Sequence, residues 1–219
     1  MTVFPPAEQH TFTDALVTVI GTALHDLAPA TVEYGEGSGF AINRRQAMPA
    51  GVKIGVDPTG PVDHTAPVLK ITGADGKLRA VLFGYACHNT TLTAEIYQLS
   101  GDYAGFAAAE LESRHPGATA LFLMLCGADQ NPNPRGTVEL ARKYGDALAV
   151  EVDRVISARM TSVAGPIRTA FRLTTLQLSP RTRLDFEAEL KSSLPAQVRR
   201  AQMMLKALDA GNRANRGWI

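Results

Sequence analysis

The amino-acid sequence predicts an α/β fold, a mixed β-sheet core with flanking helices that includes a strand-helix-strand crossover. Three stretches carry that expectation. Leu78 to Ala86, LRAVLFGYA, is an apolar run of strand length that stops abruptly at a polar segment. Residues 102–114, DYAGFAAAELESR, are rich in helix formers, with Asp102 placed to cap the first turn. Residues 119–126, TALFLMLC, form a continuous apolar run of the length expected for a buried strand. In that order they favour a right-handed crossover between parallel strands. The chain exits after Ala86 and after Leu125 then meet at one carboxyl edge, where open α/β sheets bind ligands.

The other elements follow in order. Thr13 to Leu27 has apolar groups at helical spacing, and APATVEYGEG after it reads as a short strand entering a glycine-rich loop. From Gly35 to Pro67 turn residues dominate, which predicts a long loop with a function. Val68 to Thr72 and Leu78 to Ala86 read as a hairpin joined at Asp75-Gly76. Residues 138–160 form an amphipathic helix whose apolar face holds Ala141, Tyr144, Leu148, Val152 and Val155. IRTAFRLTTLQL alternates as a strand, and Leu194 to Ala210 is a second amphipathic helix ending at Gly211. Residues 1–219 are expected to form one partial domain, with 181–219 as a helical extension.

Composition excludes several classes. With 22 basic against 21 acidic residues, no strong field selects nucleic acid or an anionic membrane. Cys87 and Cys126 are too few for a disulfide scaffold and show no CxxC spacing. The start MTVFPPAEQHTF lacks the pattern of a signal peptide, and no window is apolar enough for a transmembrane segment.

Two polar loops fall on the expected carboxyl edge: CHNTTLTAEIYQLSGD and CGADQNPNPRG. His88 is a candidate metal ligand or general base, or a loop histidine satisfied by backbone. Asp102 and Ser100 read as cap and turn formers. A cysteine hydrolase using Cys87 or Cys126 with His88 is a third possibility, opposed by the adjacency of Cys87 and His88, whose side chains diverge in a strand. Asp129, Asn131 and Asn133 lie in a loop stiffened by prolines, and Arg44 offers a guanidinium to a carboxylate or carbonyl. His10, His25, His64 and His115 have no spaced metal partner.

The blocks NRR, VDHTAPVLKITGADGK, GYACHNTTL, SGDYAGFA and CGADQNPNPRG, in that order, resemble the N-terminal catalytic domain of neutral/alkaline, non-lysosomal ceramidases and their bacterial homologues. The resemblance runs from Leu27 to Val155. It implies zinc held by two histidines, a glutamate and a tyrosine, and cleavage of the amide of an N-acylsphingosine. His88 matches the second histidine ligand. The first is expected upstream of Met1, and the glutamate and tyrosine downstream of Ile219, so the chain reads as the middle of a larger product or as a truncated homologue. One histidine does not make a catalytic zinc site, which uses three protein ligands and an open position.

The family's serine, in a Gly-Asp-Val-Ser-Pro-Asn type loop, matches Asn131, with Asp129, Pro132 and Asn133 around it. The resemblance thus implies Asn131 and Asp129 as catalytic residues, Arg44 and Asn133 as substrate-binding residues, and His88 as a metal ligand. The expected function is a zinc-dependent, ceramidase-like amide hydrolase acting on an N-acyl lipid or related amide. The alternative is a ligand-binding homologue that has lost metal and nucleophile. Small-molecule or lipid amide partners are expected, and no nucleic acid. Members of the family are commonly exported or membrane-associated. A domain lacking strands at both ends is also expected to expose apolar edges and self-associate.

Overall fold

Alternating apolar residues in the middle of the chain build its larger sheet. The structure, a computed structural model, describes residues 6–48, 51–175 and 181–211. In chain order the elements up to Val163 are α1 (Pro6–His25), β1 (Ala30–Ser38), β2 (Ile42–Met48), β3 (Gly51–Asp57), β4 (Thr65–Gly73), β5 (Leu78–Tyr85), α2 (Asp102–Arg114), β6 (Thr119–Met124), β7 (Gln130–Asn131), α3 (Val138–Ser157) and β8 (Thr161–Val163). They lie in the first of two compact units, Met1–Gly165 and Pro166–Ile219.

The larger sheet has the order β6-β5-β4-β1-β8. β5 and β6 are parallel, and the other neighbours are antiparallel. The crossover through α2 forces the parallel pair, because two strands running the same way need a long connection between them. The β4-β5 turn carries Gly76 at φ +78°, the left-handed conformation that glycine adopts without strain. A second, three-stranded sheet has the order β3-β2-β7.

Helices α2 and α3 cover one face of the large sheet. Val68, Phe83 and Tyr85 meet Tyr103 and Leu111 of α2 and Leu148 and Val152 of α3, all fully buried. Phe40 stacks on Tyr144 at 4.5 Å and meets Tyr85 and Tyr103 edge-on at 5.4 and 5.2 Å, closing the core beneath the carboxyl edge. Thr137 caps α3 by accepting the Leu140 amide.

Several elements differ from the sequence expectation. The segment Gly35 to Pro67 is not a loop: β1 continues to Ser38, and β2 and β3 pair as a hairpin. INRRQAM lacks an apolar alternation and is held by backbone pairing and polar side chains, whereas GVKIGVD alternates Val52, Ile54 and Val56 within a segment otherwise rich in turn residues. β6 is an edge strand with Leu121 and Leu123 half exposed rather than a buried strand. Residues 167–175 of the expected strand IRTAFRLTTLQL are irregular and exposed, and its last three residues lie outside the described ones. Gly101, not Asp102, occupies the N-cap position of α2. Asp102 has φ +53° and accepts the amides of Tyr103 at 2.7 Å and Leu92 at 2.8 Å.

In the second unit, α4 (Arg183–Glu189) and α5 (Pro195–Asp209) form a helical hairpin. Thr182 and Asp185 make a reciprocal capping box at α4. Glu189 accepts both Arg181 and Arg200.

Gly145 of α3 approaches α2 so closely that an added Cβ would lie 2.5 Å from the Phe106 Cβ and 2.7 Å from the Tyr103 carbonyl oxygen. Glycine to alanine inside a helix ordinarily stabilises by about 0.5–1 kcal/mol. Here overpacking reverses the sign, and Gly145→Ala is expected to destabilise by about 1–3 kcal/mol in denaturant unfolding.

Candidate functional site

The parallel pair β5 and β6 delivers its two chain ends to the same edge, and β7 returns along them. Leu125 N bonds to Tyr85 O, and His88 N donates to Gln130 O at 3.1 Å. Gln130 is buried and joins three segments. Its side-chain amide donates to Ala86 O and accepts the Asp63 amide, while its backbone pairs with Asn43 of β2. Asn43, also buried, donates to Pro61 O at 2.9 Å and accepts the Arg45 amide at 2.8 Å. The sequence reading passed over Gln130, although it sits between two residues chosen as catalytic. A buried amide is indistinguishable in sequence from a solvated loop glutamine.

The pairing of Ile42 with Asn131 places the small sheet against the carboxyl edge of the large one. Asn131 is buried. Its Oδ1 accepts the Thr90 hydroxyl at 3.0 Å, and its Nδ2 makes only a long 3.4 Å bond to Asp129 O. The hydroxyl therefore orients the amide and leaves Nδ2 as a donor with spare capacity. Pro132 is buried behind it and Asn133 is exposed.

His88 is partly buried, and one ring nitrogen, Nε2, lies 2.9 Å from Ala128 O. A carbonyl oxygen only accepts, so Nε2 carries the proton and Nδ1 keeps the lone pair. Ala128 itself has φ +36°, a conformation uncommon for a residue with a side chain, and its carbonyl faces the His88 imidazole.

Arg44 lies at a register shift in the β2-β3 pairing, between Asn43 and Arg45. Such bulges re-aim side chains. Its backbone amide donates to Asp129 O at 2.8 Å, and its buried Nε has no hydrogen-bond partner among the described residues. Asp129 pairs with the neighbouring Arg45 at 3.5 Å, both side chains being partly exposed. An open cleft of about 350 Å³ separates Pro61–Asp63 from Cys126–Gln130. Of the residues singled out in the sequence as site candidates, Cys126 and Asp129 line it. The structure thus gathers Arg44, His88, Asp129 and Asn131 on one edge through their backbones, with Asn133 at the rim.

Cys87 and Tyr103 lie behind this edge. Burial pushes the Cys87 thiol up to about 12 and raises the Tyr103 phenol, which donates to Cys87 O. A thiol that stays protonated at neutral pH is no nucleophile.

No family model matches the chain, and no curated protein matches it. Solved structures do. The crystal structure of neutral ceramidase from Pseudomonas aeruginosa is similar at 21% identity and a TM-score of 0.57, over 70% of this chain and 26% of that one. A ceramidase complexed with C2 is similar at 18% identity and a TM-score of 0.53, over 64% and 24%. The chain shares its fold with part of these ceramidases. At these identities the likeness is one of fold, and the chain spans about a quarter of the length of either ceramidase.

The ceramidase fold does not by itself bring a metal centre to these residues. Among the described residues no group of three or more histidine, cysteine, aspartate or glutamate side chains is placed to hold a metal ion. His88, the residue matched to a metal ligand, has its Nε2 committed to the Ala128 carbonyl.

The two cysteines should differ sharply in reactivity. A thiol-reactive chromophore is expected to modify exposed Cys126 quickly in the native protein and Cys87 only after denaturation. Cys126→Ser should abolish the fast phase, and a fast phase that survives it would mean that Cys87 is not the buried, neutral thiol described here.

Proposed function

We propose that the chain carries the carbonyl-binding part of a ceramidase-like amide hydrolase acting on an N-acyl lipid or a related amide. The observation that carries this reading is Asn131. It stands where the resembling family has its serine, and Thr90 orients its amide with Nδ2 as a donor with spare capacity. A donor held in place on a partly desolvated edge stabilises the negative charge that develops on an amide oxygen under attack, and removing one such donor costs about 10²–10³ in rate.

The other residues take complementary roles. Arg44, with its buried and unpartnered Nε, binds the polar head or the carboxylate product. Asp129 holds Arg45 and, through its backbone, Arg44 in position. His88 retains Nδ1 as its basic atom, and Asn133 contacts the substrate at the rim. Zinc does not fit the described residues, among which no group of three or more histidine, cysteine, aspartate or glutamate side chains is placed to hold it. In a zinc-dependent form of the protein His88 would be one ligand of several, the others lying outside the described residues.

A second reading is favoured by that same missing ligand set: a homologue that binds an acyl amide without cleaving it. Fatty acid released from a short-chain N-acylsphingosine, with and without added zinc, separates the two. Hydrolysis supports the enzyme. Saturable binding with no release at any zinc concentration supports the binding protein.

Asn131→Ala and Arg44→Ala are each expected to weaken binding of the short-chain amide about tenfold, the equivalent of a lost hydrogen bond of about 1.4 kcal/mol. Melting temperatures checked alongside should stay close to the parent's, and unchanged affinity in both variants would remove the site from this edge. By elemental mass spectrometry the purified chain is expected to hold well under one zinc ion, with His88→Ala no different. Stoichiometric zinc that disappears in His88→Ala would show that residues beyond the described ones complete the site.

A further inference from the structure

Two apolar surfaces of the first unit have no cover among the described residues. α1 places Phe12, Leu16, Val19, Ile20 and Leu24 along one stripe at intervals of three and four residues. Their exposures lie between 47% and 67%, and α1 makes no substantial contact with another described element. The face of the large sheet opposite α2 and α3 is the second. Register aligns Tyr34, Leu69, Leu82 and Leu121 in one row across four strands, flanked by Leu123 and Val163. A shallow groove of about 170 Å³, lined by Tyr34, Leu69, Leu82 and Leu123, runs over this face.

We propose that the chain forms a two-fold dimer in which α1 of each copy lies across the open sheet face of the other. The dimensions agree. A helix of 20 residues is about 30 Å long, and strands of eight or nine residues span about 26–31 Å. The connection argues for a second copy rather than the same one. Between α1 and β1 stand four residues, Asp26 to Pro29, and Pro29 holds Ala28 extended. Across this link α1 makes no substantial contact with the strands of its own sheet.

The area suffices. At about 100 Å² for each large apolar side chain, exchanging both helices buries roughly 2,000 Å², at the top of the range of about 1,200–2,000 Å² for standard stable interfaces. A formal net charge of +1 offers little repulsion between copies. The exchange also leaves the candidate site open. Ser38 pairs with Thr65 at the carboxyl edge, so the Ala30 end of β1, where α1 departs, is the opposite end of the sheet.

Sedimentation of the full chain tests the proposal. The expected result is a species of twice the chain mass that Leu16→Glu with Ile20→Glu converts to monomer with its circular dichroism retained, since both side chains are solvent-exposed within a single copy. A second variant, Leu121→Glu with Leu123→Glu, should also be monomeric. A monomeric parent chain, a dimer indifferent to the α1 substitutions, or a dimer indifferent to the sheet-face substitutions in a folded variant would each overturn the exchange. If the sheet variant fails to fold, the α1 variant alone decides.

Discussion

The side chain of Gln130 holds together the edge on which everything else depends. It is buried, yet each end of its amide is satisfied: the nitrogen by Ala86 O at the end of β5, the oxygen by the Asp63 amide from the segment before β4. Its backbone adds the His88 amide on one side and Asn43 on the other. A buried amide that lost either partner would carry a penalty of about 1–3 kcal/mol for the orphaned group. The residue therefore fixes the spacing between two sheets that share no long strand pairing. Arg44, His88, Asp129 and Asn131 each reach their places through backbone bonds within two residues of it.

Behind that edge, a second set of buried polar contacts stiffens the connection from β5 to α2. Tyr103 reaches back to Cys87 O, and Asp102 clamps Leu92 to the start of the helix. Burial makes the Tyr85 phenol, like that of Tyr103, reluctant to ionise. Its oxygen accepts the Ala41 amide, which ties the segment carrying Phe40 to the same floor. The opening of α2 thus uses Asp102 as a cross-strut to Leu92 rather than as an N-cap, which explains why a residue with a side chain is found at φ +53°.

What could be read from the sequence was whatever rested on apolar periodicity. The crossover β5-α2-β6, the hairpin β4-β5 and the helix α3 each bury a regular face, and each was legible with boundaries close to those observed. β2 and β3 were not, because Asn43, Arg44 and Gln46 are held by hydrogen bonds that leave no pattern. TALFLMLC misled in the opposite way: its composition signals burial on both faces, but only one face meets a helix here. Among the candidate site residues, the loop positions were legible from residue type and order. Gln130 and the tautomer of His88 depend on partners 40 or more residues away, which no local pattern encodes.

The low exposure of Asn131 narrows what this edge can recognise. A side chain only 7% exposed presents at most a single amide hydrogen to a ligand, since its oxygen is already occupied by Thr90. A bulky or tetrahedral anion needs several donors at once, whereas a planar carbonyl oxygen needs one in the right place. Arg44 supplies the contrast: a charged group at a bulge, with one buried nitrogen unpaired, suits a group that brings its own negative charge or a strong dipole. In the proposed reading the directional donor would meet an amide carbonyl oxygen and the charged donor a carboxylate, and the pairing of β7 with β2 brings the two residues to the same edge.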